Sequence, residues 1–259
     1  MIASKDLKFE SRMKSDKTKE IVEKHCGPAG LNLIRGLGGA TADEAIVGPI
    51  KTGHLLAGAK SVIIIGNYGP EMWEKLQSDI ERNREFYDAI NDPVDVFSSR
   101  AIESAVDELK QNGLNAVGVY PWRQEAGGFL PFQAWGVACG MGAMGIIGVV
   151  IHPTYGPWNS FRGGIIIDAP IEPDDALDDF NPCKKCEAPC MEACPAGAIS
   201  RDGCNVQKCL GARLFDERCE TVCAAREACV YGKDYRFHRD EITYHSFTGI
   251  EKIRRAMGH

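Results

Sequence analysis

No apolar run in this chain approaches the ~18 residues that a membrane-spanning helix requires, so a helical membrane anchor is excluded from the reading. The first stretch, MIASKDLKFESRMKSDK, has neither an apolar h-region nor a twin arginine. The expectation is therefore a cytoplasmic protein with no membrane partner. Positive charge is also in deficit: 30 Lys and Arg stand against 36 Asp and Glu, a net charge of −6. That balance disfavours nucleic acid as the main partner. Internal repeats are lacking apart from a spacing of cysteines. Cysteine is what the chain has in excess, with 11 in 259 residues, nine of them between Cys183 and Cys229. An odd number of thiols without an export signal argues against a disulfide framework and for metal ligation.

The remainder reads as an α/β (α+β) chain of alternating strands and helices. Residues 1 to about 58 are expected to be helical and then loop-like, punctuated by Gly36-Leu37-Gly38-Gly39. Ser61–Gly66 is a short β-branched run closed by glycine and predicts a buried strand. A charged helix is expected over 72–90. A second helix should start at Ser98 or Ser99, carry Ile102, Ala105, Val106 and Leu109 on one face, and stop at Gly113. Ala116–Tyr120, Ile146–Ile151 and Gly164–Ile167 predict further strands. The acidic, Pro-containing stretch Ala169–Asp179 reads as a linker. The expected domains are 1–175, a sheet-and-helix domain; 176–235, a small cysteine module; and 236–259, a tail.

The cysteine module opens with Cys183-x2-Cys186-x3-Cys190-x3-Cys194-Pro195-Ala196-Gly197-Ala198-Ile199. Closely spaced cysteines deliver three thiolates to one iron–sulfur cluster, and a cysteine before proline leaves for a second. Small residues after Pro195 let backbone N–H groups approach cluster sulfur. Structural zinc also uses C-x2-C pairs, but it gives no reason for the Cys-Pro-Ala-Gly-Ala-Ile run. Two [4Fe-4S] clusters need eight ligands. The interleaved layout assigns Cys183, Cys186, Cys190 and the distant Cys229 to one cluster, and Cys194, Cys209, Cys219 and Cys223 to the other. Cys204 is left over and is the alternative to Cys209. Cys26 and Cys139 stand alone and read as ordinary buried thiols.

Gly140-Met141-Gly142-Ala143-Met144-Gly145 matches G-x-G-x-x-G literally, but a helix precedes it and a strand follows, the reverse of a dinucleotide fold. Two readings stay open: a glycine-rich turn packed closely on the sheet, or close backbone approach to a flat cofactor. The order of blocks is informative. Pro131-Phe132-Gln133-Ala134-Trp135-Gly136 precedes the glycine run, and Ile151-His152-Pro153-Thr154-Tyr155-Gly156-Pro157-Trp158 follows it. Ile167-Asp168-Ala169-Pro170 then leads to the cysteines. From about residue 58 to 230 this order resembles the epoxyqueuosine reductases and reductive dehalogenases.

The resemblance implies a nitroreductase-like domain that binds a corrinoid such as cobalamin, followed by a two-cluster ferredoxin-like module. Electrons from a donor such as ferredoxin or flavodoxin would pass singly through the clusters to the corrinoid. A small-molecule or protein-bound substrate would then be reduced. Trp135, Gly140, Gly142, Gly145, His152, Tyr155 and Trp158 are the residues it places near the cofactor, with Arg162 beside them. Flavin in the same pocket is the alternative cofactor, and a non-catalytic electron carrier or corrinoid-handling protein the alternative function. The reductases' Arg-Asp-Tyr-His stretch has only Arg84-Glu85-Phe86-Tyr87 as its counterpart, making Glu85 and Tyr87 the catalytic candidates. The reductases' tRNA-recognising region has no counterpart in the thirty residues after Cys229. The basic, aromatic stretch Tyr231–Arg239 is expected to pack as strand or loop on the second cluster.

Overall fold

The computed structural model describes residues 15–47, 50–125 and 128–256. Helix α1 covers 15–26. The chain continues through β1 (Leu33–Gly38), α2 (Gly39–Ala45), α3 (Thr52–Leu55), β2 (Ser61–Tyr68), α4 (Glu71–Arg82), α5 (Arg84–Tyr87), α6 (Pro93–Gln111), β3 (Ala116–Val119) and α7 (Phe132–Ala138). Then come β4 (Ala143–Met144), β5 (Val150–Ile151), β6 (Asn159–Ile167), α8 (Pro189–Ala193), β7 (Ile199–Ser200) and β8 (Gly203–Cys204). The described chain closes with α9 (Val206–Phe215), α10 (Ala224–Glu227) and α11 (Arg239–Ala256). It divides into two compact units, 1–141 with 160–178, and 142–159 with 179–259.

The first unit is built on a four-stranded sheet ordered β1-β2-β6-β3, in which β1 pairs antiparallel with β2 and β3 antiparallel with β6. Val62, Ile63, Ile64 and Ile65 are all fully buried, because successive side chains leave opposite faces of the strand and both faces are covered. Ile102, Ala105, Val106 and Leu109 form the buried face of α6, as their spacing predicts. That helix begins at Pro93 rather than Ser98. Asp92 caps it by accepting from the Asp95 amide, and Pro93 supplies the first helical turn with its preset φ. Ser98 sits inside the helix, its hydroxyl donating to Val94 O at 2.8 Å. The charged helix over 72–90 is interrupted at Asn83, whose φ of −125° and ψ of 40° separate α4 from α5.

Gly36–Gly39 is not a loop. Gly36 and Leu37 pair with Ile63 and Val62 in β1, and a Cβ on Gly36 would meet Ile171 Cδ1 at 2.7 Å. The glycine there serves close packing, which has the same sequence signature as a turn. β6 likewise starts at Asn159, five residues before the expected Gly164, with Gly163 and Gly164 inside it.

In the second unit, β4 and β5 form a hairpin with Ala143 opposite Ile151, and β7 and β8 form another with Ile199 opposite Cys204. The strand expected over Ile146–Ile151 is confined to Val150–Ile151. Gly148, at φ +79°, donates to Gly145 O and closes a turn through Ile146 and Ile147. α8 packs on α10, and Ala188, Cys190, Ile199 and Ala225 make a small apolar core flanked by Ile146, Ile147 and Met191. Among the described residues no helix is long and apolar enough to cross a membrane.

Candidate metal centres

Each cysteine of the second unit is delivered by a local device. Ala188 holds a left-handed conformation, φ 60° and ψ 55°, which costs a residue with a Cβ roughly 1–2 kcal/mol. In that conformation its N–H donates to Cys186 Sγ at 3.3 Å, and the chain turns into α8, where Pro189 precedes Cys190. α8 ends at Cys194 in extended backbone, and Gly197 at φ +56° turns the chain, donating to Cys194 O. Asn205 caps α9 by accepting from Lys208 N, which fixes Cys209 in the first turn. Asp216 caps the 3-10 turn that carries Cys219, Cys223 is the N-cap of α10, and Cys229 follows that helix.

The nine thiols fall into two groups around two cavities. Cys183, Cys186, Cys190 and Cys229 line the first, walled by Ile146, Ile147 and Ile151. Cys194, Cys204, Cys209, Cys219 and Cys223 line the second, with Ile147, Ile199 and Arg213. Ile146 and Ile147 are apolar because they face these cavities. A turn that walls a cavity carries the same β-branched run as a buried strand, which is why the sequence suggested one.

Hydrogen-bond donors are directed at sulfur. Besides Ala188, the Ile146 amide donates to Cys183 Sγ at 3.5 Å. Arg201 Nη1 donates to the carbonyls of Cys183 and Cys186 at 3.2 and 2.7 Å, clamping the first loop from outside. In the second cavity Cys204 and Cys209 both face the space, and Arg213 Nε is buried without a partner. Burial pushes the Cys209 thiol up to about 11, and burial followed by the neighbouring thiols also raises Cys190.

Among the described residues no group of three or more His, Cys, Asp or Glu side chains is gathered about the position of a metal ion. The thiols face cavities instead. A multi-atom cluster requires that spacing, whereas tetrahedral zinc draws its sulfurs to about 2.3 Å from one point. Four thiols about one cavity and five about the other, N–H groups on sulfur and an unpaired buried N–H donor together fit two iron–sulfur clusters.

The candidate corrinoid residues are engaged with protein. Trp135 is fully buried in the first unit and its indole donates to Ala42 O at 2.9 Å. A Cβ on Gly140 would strike Asp175 O, one on Gly142 would strike Ile151 O, and one on Gly145 would lie 2.6 Å from Ile151 Cγ1. Close chain packing thus accounts for these three glycines, and they do not fit a path left open to a ring. His152 Nδ1 accepts from the amides of Thr154 and Tyr155 at 3.1 and 3.2 Å, so in the neutral ring the proton lies on Nε2. Tyr155 stacks on His152 at 4.3 Å, and Trp158 packs edge-on to Phe237 with Arg226 over its face. Arg162 is buried in the first unit and donates from Nε to Asn67 Oδ1.

Of the catalytic candidates, Glu85 is exposed, and Tyr87 donates its hydroxyl to Asp79 Oδ2 at 2.7 Å. Burial, then that hydrogen bond, pushes the phenol up to about 12. Cys26 and Cys139 are fully buried, and burial alone leads in pushing each up to about 12. The stretch Tyr231–Arg239 is loop with one 3-10 turn at Lys233–Tyr235, and the expected tail is the long helix α11. Arg213, Arg201 and Ala188 carried no sequence signal, since nothing in their spacing separates them from surface residues.

An epoxyqueuosine reductase bound to a tRNA-Tyr stem loop superposes at a TM-score of 0.60 with 17% identity, over 88% of this chain and 69% of that one. The fold is that of the epoxyqueuosine reductases. The Bacillus subtilis epoxyqueuosine reductase gives 0.59 with 17% identity, over 87% and 68% of the two chains. A C. elegans B12-trafficking protein, CblC, gives 0.55 with 13% identity, over 90% and 91%. A catabolic reductive dehalogenase gives 0.53 with 14% identity over 88% of this chain but only 34% of its own. Protein-family models and curated protein sequences give no match to the chain.

Proposed function

We propose that this protein is a cytoplasmic redox protein that relays single electrons through two [4Fe-4S] clusters to a corrinoid used in a reduction. The observation that carries the reading is the partition of the cysteines. Cys183, Cys186 and Cys190 share a cavity with the distant Cys229, while Cys194 joins Cys204, Cys209, Cys219 and Cys223. Iron–sulfur clusters supply reversible one-electron chemistry when bound. The thiolates named hold the iron, the amides of Ala188 and Ile146 hydrogen-bond to ligand sulfur, and Ile146, Ile147 and Ile151 keep water from the first site. The corrinoid rests on the fold shared with a B12-trafficking protein and with the reductases. Gly140, Gly142 and Gly145 each pack against the chain itself. A donor such as ferredoxin or flavodoxin would supply the electrons.

A second reading is a non-catalytic electron carrier or corrinoid-handling protein. It is favoured by the absence of a catalytic arrangement at Arg84–Tyr87, where Glu85 faces solvent and Tyr87 is committed to Asp79. Iron and sulfide analysis of anaerobically reconstituted protein tests the cluster count, for which about eight irons per chain are expected. Cys209→Ser should lose half the iron and Cys204→Ser none; the reverse would make Cys204 the ligand, and zinc in place of iron would end the reading. Titration with cob(II)alamin, followed by its paramagnetic resonance, separates the two functions. An unaltered spectrum at about 100 μM protein means binding weaker than roughly −5.5 kcal/mol and leaves the carrier.

A further inference from the structure

We infer that Arg213 is a positioning residue for the second cluster, donating from Nε to a cluster sulfur and holding that cluster's potential above the first one's. The inference rests on the two-cluster reading above. Arg213 lines the cavity of Cys194, Cys204, Cys209, Cys219 and Cys223. Its guanidinium is held from the far side, Nη2 donating to Ser246 O at 2.8 Å. Its Nε is buried with no hydrogen-bond partner, and a buried, unsatisfied donor on a cation is costly enough to need an acceptor. A cluster bound by four thiolates carries negative charge and exposes sulfur acceptors, which is the chemistry that donor lacks.

The fold makes room for this arrangement. Gly249 stands inside α11, where glycine costs about 1 kcal/mol relative to alanine, and a Cβ there would come 3.0 Å from Arg213 Nη2. The first cavity has no counterpart, since its wall is Ile146, Ile147, Ile151, Val230 and Tyr231 with prolines and alanine, and it has no cationic side chain. Arg201 touches only the outer carbonyls of that loop and is exposed, so water screens its charge. A cation that lines the cavity and donates from a buried Nε to sulfur favours the more negative, reduced cluster, so the first electron should rest on the second cluster.

Stepwise reduction of the cluster-loaded full chain, followed by electron paramagnetic resonance, tests this. The signal absent in Cys223→Ser identifies the second cluster. In wild type the second cluster should be reduced first. Arg213→Met should move its midpoint to more negative potential with the first cluster's unchanged, and Arg213→Lys should give a smaller shift in the same direction. Lys208→Met removes an exposed cation from the same helix and should move neither midpoint. Unshifted midpoints in Arg213→Met with its full iron content would overturn the inference, as would an equal shift in Lys208→Met. If Arg213→Met fails to retain the cluster, Arg213→Lys decides: a shift supports the inference and none overturns it. A wild-type chain with only four irons would overturn the two-cluster reading as well.

Discussion

The two units are stabilised by different means. The first has an ordinary apolar core, with Val62–Ile65 and Ile165–Ile167 at 0% exposure on adjacent strands. At roughly 1.5–3 kcal/mol for each large aliphatic side chain buried, such a sheet needs nothing bound to it. The second unit has few large buried side chains. α9 buries none of its residues, and Val206, Leu210 and Phe215 on it are all exposed. Its small core of Ala188, Cys190, Ile199 and Ala225 leaves the thiol cavities to fill the middle. A scaffold so short of apolar burial depends on staples, and under the two-cluster reading metal-binding free energy would become folding free energy.

Iron removal should break this comparison most sharply. Chelation under reducing conditions should abolish hydrogen-exchange protection in α8, α9 and α10 and leave β1 and β2 protected. Equal loss, or equal retention, in both units would show that they share one source of stability. The reciprocal experiment is Ile64→Ala. It should cost about 2–5 kcal/mol in denaturant unfolding of the first unit while iron content stays unchanged. Loss of iron in that variant would mean the sheet supports the clusters directly.

A smaller effect is expected at Ala188. Its left-handed backbone accepts glycine, so Ala188→Gly should keep the iron, whereas the β-branched Ala188→Val should cost about 1–3 kcal/mol and speed iron release to a chelator. Equal release rates would remove strain from the account of that loop. Smallest is a difference in thiol reactivity. Burial holds Cys26 and Cys139 near about 12, so at pH 8 their thiolate fraction is about one in ten thousand. Mass spectrometry after alkylation of the iron-free native chain should find the module cysteines labelled and these two untouched. Because the raised values keep them protonated, labelling should begin only as pH climbs toward that range. Modification of Cys139 at pH 8 would mean that the first unit opens more readily than its core suggests.

The site was more legible in the sequence than the fold around it. Cysteine spacing is set by the reach of a tight loop, and the structure gathers Cys183, Cys186 and Cys190 about one cavity with the distant Cys229 while Cys194 lines the other. The Cys204 ambiguity persisted because both thiols line the same cavity. Apolar runs were less reliable. Ser61–Gly66 is a strand, but Ile146–Ile147 is a turn facing sulfur, and hydrophobicity alone does not say what a side chain is buried against. Glycines misled in both directions, hiding β1 behind Gly36 and suggesting a cofactor path where Gly142 only admits Ile151 O. Arg213 was invisible because its role comes from α9 and α11 meeting, which no local pattern records.

The interleaving also sets an order of biosynthesis. Each thiol group draws on both ends of the segment, so a ribosome that has released the Cys183–Cys194 loop has completed neither. Translation at about 5–20 residues per second brings out Cys223, and the group of Cys194 is then whole; Cys229 completes the other within about a second. Both sites therefore become loadable almost together, after the Cys183 loop has waited some forty residues. During that interval its thiols are open to metals and oxidants, and under the two-cluster reading whatever delivers iron would have to compete for them.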